Sequence, residues 1–305
     1  MPLDQNPYLE NLTERVVQEK VLKLIHANNP FQRFEKKNIE FHGAYGEYIG
    51  DQPLEGVEWN KNLTSDDFKQ LPEVFSCYLP IILDKVYYSI QNKKVMKRAL
   101  QSPELMAELS ERLIDSMKSQ ATKDIRKKVL ELLCKKETYN DQAWVEWEED
   151  ECEIDGVDKA VAVISWIKKT ASQMLEESQD YNKGYQKPNS TTWNKVETNS
   201  ESKKSLVLVI DPDFLQAIET RFLADVGNLE LVSLKAIFGE VIERKLTNKV
   251  KVIIRDENSF AYTIINEEGI TTEQVFGSGS TKFGYHATVV GGVIPFVNAC
   301  ALVSK

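Results

Sequence analysis

Apolar residues near the start of the chain recur at helical spacing. Leu12, Val16 and Leu24 share one face between Leu9 and Ala27, and Asn28, Asn29 and Pro30 end the pattern. The helical period then disappears. From Ile39 to Trp59, Gly43, Gly46, Gly50, Pro53 and Gly56 are interleaved with Phe41, Tyr45, Tyr48, Ile49 and Trp59, which predicts an extended hairpin or a long loop. A connection of about twenty residues with such large apolar groups has two readings of equal weight: a strand pair over its own core, or a segment docked on a neighbouring molecule. Val74 to Ile90, rich in Val, Ile, Tyr and Phe, predicts a returning strand followed by a short helix start, with Pro80 as an interruption.

The clearest element follows. Ser102 suits an N-cap and Pro103 the first helical position, and Leu105, Leu109, Leu113, Met117, Ala121, Ile125, Val129 and Leu132 hold one apolar face down to Leu133. At 1.5 Å per residue such a helix spans roughly 45 Å, the width of a whole domain. Its polar side, with Glu111, Lys118, Lys123, Lys127 and Lys128, is expected to face solvent. An acidic stretch (Glu146, Glu148 to Glu151, Glu153) lacks the glycine turn and alternating oxygen ligands of a cation loop and is expected to be a solvated connector.

A second amphipathic helix is expected over Val157 to Glu177, with Val161, Ile164, Ile167, Ala171 and Leu175 inward, and a polar surface loop over Gln179 to Lys204. The last third is β-rich. Leu206 to Ile210, Val250 to Arg255, Phe260 to Ile265 and Ala287 to Val290 are strand candidates, and a helix is expected at Pro212 to Val226. The fold class is therefore α+β, with no repeat of fixed period.

Length and composition narrow the function classes. The 305 residues allow one large domain or two ordinary ones, and 42% hydrophobic with 28% charged residues excludes disordered and disulfide-dense chains. Forty-seven acidic against 38 basic residues leave a net charge of -9, which argues against a domain built to grip phosphates. Four scattered cysteines without a CxxC pair predict reduced thiols. The polar Met1 to Glu10 segment predicts no secretory leader, and no apolar window is long and unbroken enough to predict a membrane helix.

Candidate chemistry is sparse. LVLVIDPDF ends an apolar strand in Asp211, Pro212 and Asp213, the pattern of a Mg²⁺-dependent phosphatase in which one carboxylate attacks phosphorus and the other moves a proton. Phe214 and Leu215 stand where a Thr is needed, and the same residues make a helix start with Asp211 as cap. The Phe276 to Lys282 stretch, FGSGSTK, departs from phosphate-loop spacing and predicts a turn. His26, His42 and His286 have no partner at metal-ligand spacing. No catalytic, cofactor-binding or metal residue is nominated.

Three stretches carry a resemblance. NNPFQRFEKK (Asn28 to Lys37), LVLVIDPDFLQAIETRFLADV (Leu206 to Val226) and YHATVVGGVIPFVNACALVS (Tyr285 to Ser304), in this order and spacing, resemble the major capsid proteins of small short-tailed bacteriophages, the podophage branch of the Hong Kong phage-type capsid fold. The resemblance implies an N-terminal arm (1–36), an extended loop (37–88), a peripheral domain with a long spine helix (89–156), an axial domain (157–282) and a return to the peripheral domain (283–305). It further implies self-assembly through pentamers and hexamers into an icosahedral or prolate shell around double-stranded DNA. Intersubunit contacts are expected at Tyr45, Tyr48, Ile49 and Trp59 of the extended loop.

The same resemblance implies a separate scaffolding protein and a portal as partners, weak contact with packaged DNA on the inner face, no membrane and no cofactor. Assembly is expected in the host bacterial cytoplasm, and the virion as the final location. Cross-linking of the mature shell through Lys61 or Asn298 is left open by the sequence. Two alternatives stand beside this reading: an encapsulating nanocompartment shell, and the phosphatase using Asp211 and Asp213.

Overall fold

The computed structural model describes residues 29–36, 39–41, 45–51, 74–91, 103–187, 190–225, 234, 236–247, 249–275 and 280–305. The expected arm helix, His26, His42, Trp59 and Lys61 lie outside them. The chain divides into two compact units. One takes the described residues up to Tyr45, with Pro80–Val129 and Tyr262–Gly292; the other takes Gly46–Leu79, Leu130–Ala261 and Val293–Lys305.

In chain order the strands are β1 (Glu40–Phe41), β2 (Tyr45–Asp51), β3 (Val74–Gln91), β4 (Trp144–Trp147), β5 (Tyr185–Gln186), β6 (Trp193–Asn194), β7 (Leu206–Ile210), β8 (Glu240–Glu243), β9 (Val250–Asp256), β10 (Phe260–Val275), β11 (Ser280–Val293) and β12 (Ala299–Ser304). The helices are α1 (Pro103–Leu133), α2 (Glu149–Cys152), α3 (Val157–Gln173) and α4 (Pro212–Asp225). One five-stranded sheet runs β1-β2-β3-β11-β10 and another β4-β12-β9-β7-β8, while β5 and β6 form a small pair inside the loop predicted over Gln179 to Lys204.

In the first unit, α1 lies on the sheet. Leu113, Met117 and Ala121 pack with Tyr87 of β3 and Phe283, Tyr285 and Ala287 of β11, the helical stripe meeting alternate strand residues. The helix has the predicted bounds. Its polar side departs from expectation at Lys118, which is buried with its ammonium 5.2 Å from the Tyr285 ring centre. The long aliphatic stem lets the side chain lie along an apolar face that a shorter polar group would avoid.

Asn29–Phe34 is pinned to the same unit. The Asn29 amide donates to the Tyr262 hydroxyl at 2.6 Å, the Phe31 amide donates back to Asn29 Oδ1, and Phe31 and Phe34 are wholly buried. The expected helix start near Tyr87 is replaced by continuous strand: β3 extends over 18 residues with Pro80 inside it. Leu79, Leu83 and Tyr87, the buried residues, are four apart, a spacing that falls on one face of a helix and of a strand alike.

The second unit is built on an apolar centre. All five residues of β7 are buried. Leu206, Leu208 and Ile210 join Val252, Ile254, Cys300 and Leu302 under α3 and α4, which contribute Val163, Ile164, Ile167, Phe214 and Ile218. The buried stripe of α3 runs through Ala160, Val163, Ile164 and Ile167; the predicted inward residue Val161 is 41% exposed, and the helix ends at Gln173 rather than Glu177. Ala160 lies on the buried stripe, and the helical step of about 100° to the next residue turns Val161 toward solvent.

The short strands β4, β8 and β12 were not predicted. β12 pairs parallel with β4 and antiparallel with β9, so the closing residues fill a central position in this sheet.

Candidate assembly surface

β2 and β3 are hydrogen-bonded neighbours. At 3.3 Å per residue, β3 runs for roughly 60 Å, several times a usual strand. Ile49 is 61% exposed on β2, and the second unit adds Val74 at 62% and Tyr78 at 58% at the start of β3. Of the predicted contact residues, Tyr45 and Tyr48 fall in β2 but their side chains, with all of Trp59, are outside the described residues. Val74 and Tyr78 were missed. Reading Val74 to Ile90 only for its apolar content hid the alternation of exposed Val74 and Tyr78 with buried Leu79 and Leu83.

In the first unit, Val86 and Tyr88 are exposed on β3, and the Lys282 ammonium lies 5.1 Å from the Tyr88 ring centre. Polar ties fix this part of β3 on both sides. Asp84 Oδ1 meets His286 Nε2 at 2.6 Å and accepts from the Thr288 hydroxyl at 3.0 Å, across the register that pairs Val86 with His286. Asp124 of α1 accepts from Lys85 at 2.7 Å and from Tyr87 at 3.1 Å. The His286 and Thr288 contacts hold the Asp84 carboxyl below the usual range, and Lys85, then Tyr87, does so for Asp124. A groove of about 490 Å³ beside these ties is lined by Ser89, Ser116, Ser119, Gln120 and Lys123 among others.

The residues with enzyme-like spacing are occupied by structural work. Asp211 is buried; its Oδ1 accepts from the amides of Asp213 (3.0 Å) and Phe214 (3.4 Å), and its Oδ2 from the amide of Leu246 (3.3 Å). Both carboxylate oxygens therefore bind backbone, as a helix cap does. Asp213 is exposed beside Lys245 at 3.9 Å. No group of His, Cys, Asp or Glu arranged for a metal ion occurs among the described residues. Nor is any helix, among those described, long and apolar enough to cross a membrane.

Asn298 is 1% exposed; its amide donates to the Met174 and Thr198 carbonyls and its oxygen accepts from the Thr198 hydroxyl at 2.8 Å. It is a core bracket of the second unit. Cys300 is buried and Cys77 half-buried, and desolvation pushes both thiols up to about 12.

A family model described as Phi29-like phage major capsid protein matches residues 1–303. The chain belongs to this family. Solved structures agree on the fold. The capsid structure of Staphylococcus phage Andhra superposes with a TM-score of 0.63 at 9% identity, covering 92% of this chain and 84% of the other. The capsid structure of Helicobacter pylori bacteriophage KHP30 gives 0.57 at 9% identity over 91% of each chain. That of cyanophage P-SCSP1u gives 0.55 at 10% over 90% and 88%. No curated protein matches the sequence.

The protein is thus a phage major capsid protein, a structural component of the virion with the Hong Kong phage-type fold that the three stretches suggested. Membership of this family favours neither the nanocompartment shell nor the phosphatase. A phage major capsid protein associates with copies of itself.

Proposed function

We propose that the chain assembles as pentamers and hexamers into a closed icosahedral or prolate shell around a double-stranded DNA genome, with Tyr45, Tyr48, Ile49 and Trp59 set against adjacent copies. The carrying observation is the exposure of Ile49, Val74 and Tyr78 on neighbouring strands of one unit. Large apolar groups gathered in this way favour association over a solitary chain. Head-to-tail patches of this kind close into rings when the rotation allows, and one sequence serves rings of five and six when its contact segment can bend. In this reading residues 1–36 are the arm, 37–88 the extended loop, 89–156 and 283–305 the peripheral domain, and 157–282 the axial domain.

A separate scaffolding protein and a portal complete the assembly, which takes place in the host cytoplasm. The chain's role is structural, without catalysis or cofactor. The net charge of -9 suits a wall that touches packaged DNA only weakly. The test is the double substitution Ile49→Glu with Tyr78→Glu. Both side chains are mostly exposed, so circular dichroism and melting temperature should match the parent while negative-stain microscopy shows no shells. Normal shells from this variant would reject the proposed contact surface.

A further inference from the structure

Arg255 occupies the middle of the second unit's sheet, paired in register with Val207 of β7 and Ala299 of β12. Its side chain is completely buried. Strand alternation places it, with Ile253, on the face opposite Val252 and Ile254, which belong to the core under α3 and α4. Among the described residues, none of its Nε, Nη1 and Nη2 atoms has a hydrogen-bond acceptor. What meets the charge is the Tyr139 ring, whose centre lies 5.1 Å from the guanidinium carbon. An aromatic face attracts a cation, but it does not replace acceptors for five N–H donors. Burial accordingly lowers the Arg255 pKa, from a value so high that the charge persists. A buried cation without acceptors is a standing penalty on the closed state.

The segment that supplies Tyr139 follows α1 and spans residues 134–143, up to the start of β4. Its ties are polar bonds, several of them near the surface, together with the buried side chains of Cys134, Tyr139 and Ala143 and the Ala301 amide, which donates to the Ala143 carbonyl at 2.8 Å. The Tyr139 hydroxyl donates to the Leu133 carbonyl at 2.6 Å, and the Thr138 hydroxyl to the Lys135 carbonyl at 2.7 Å. The Asn140 amide reaches the Gln179 and Asp180 carbonyls at 3.2 Å, and Lys136 pairs with Glu146 at 2.9 Å. Such bonds exchange for water at little net cost. Opening the segment gives up these bonds and the burial of Tyr139, and in exchange hydrates a guanidinium that gains most from water.

We infer that residues 134–143 form a cover that opens as a unit and wets Arg255, a yielding point built into the second unit. The opposite face, with Cys300 in the core under α3 and α4, stays closed. A subunit with this device can adjust the end of α1 and the approach to β4 without unfolding the sheet.

Two native thiols report on it. Cys134 lies in the cover and Cys300 on the far face, and both are buried. Alkylation of the native full-length chain by iodoacetamide is followed by mass spectrometry, each rate divided by that of the same thiol in the urea-unfolded chain. Cys134 should react at least about tenfold faster than Cys300. Arg255→Met, which keeps the bulk and removes the charge, should slow Cys134 by about tenfold and leave Cys300 unchanged, with amide exchange over 134–143 following Cys134. Equal normalised rates for the two thiols in the native chain would overturn the inference. So would a Cys134 rate indifferent to the substitution; and should Arg255→Met fail to fold, amide exchange in the native chain decides, faster over 134–143 than over β7 if the cover opens, and no faster if it does not.

Discussion

Asp211 illustrates how one carboxylate can imitate chemistry while serving the backbone. Three amides, those of Asp213, Phe214 and Leu246, converge on its two oxygens, and Pro212 next to it needs no hydrogen bond of its own at the first helical position. Removing the side chain leaves buried donors unsatisfied at the start of α4. Asp211→Ala should therefore lower stability by about 1–2 kcal/mol, and Asp211→Asn, which retains an acceptor oxygen, by less. Thermal melting measures the order of the three proteins. A variant series with no difference would mean that the cap contributes nothing. The same logic applies to Asn298, whose three bonds bracket Met174 and Thr198 in the core.

β3 is an element whose two neighbours are tied on by carboxylates with depressed pKa values: Asp84 toward β11, first through His286, and Asp124 toward β3 from α1, first through Lys85. A group whose folded pKa lies below its unfolded value stabilises the fold above the unfolded value and ceases to do so as pH falls through the folded one. Both ties should thus be intact at neutral pH and fade below about pH 4. Asp84 is exposed and its tie is screened by water, while Asp124 is only partly exposed, so the combined effect is modest. Urea midpoints measured across the acid range for the parent and for Asp84→Asn with Asp124→Asn should show a shallower acid slope in the variant; parallel curves would contradict the assignment.

The tie itself could not be read from the sequence, because Asp84 and His286 are far apart along the chain and only the pairing of β3 with β11 joins them. What could be read was local. Ser102 and Pro103 marked the start of α1, and the unbroken apolar run at Leu206–Ile210 marked a strand buried on both faces. β4 and β8, of four residues each, are too short to show a period, β12 is a run of small and apolar residues without alternation, and Leu79, Leu83 and Tyr87 satisfied helix and strand spacing together. Of the candidate contact surface, Ile49 was legible beside its glycines, whereas Val74 and Tyr78 became visible only once β3 had a buried and an exposed side.

At the scale of the whole molecule, two terms of opposite sign meet when subunits approach. Each chain carries a net charge of -9, so copies repel one another, while exposed apolar side chains such as Ile49, Val74 and Tyr78 attract over short range only. The two respond differently to salt. Repulsion between exposed charges reaches about 30 Å at 0.01 M ionic strength and about 10 Å at 0.1 M, whereas apolar contact is barely screened. If apolar burial holds the subunits together, association should be suppressed in dilute buffer and should accelerate as salt is added, and the charge-introducing variant Ile49→Glu with Tyr78→Glu should remain dispersed throughout. Light scattering at fixed protein concentration follows both. Association that slows with added salt would mean that pairs of opposite charge, rather than the exposed residues of β2 and β3, bring the copies together.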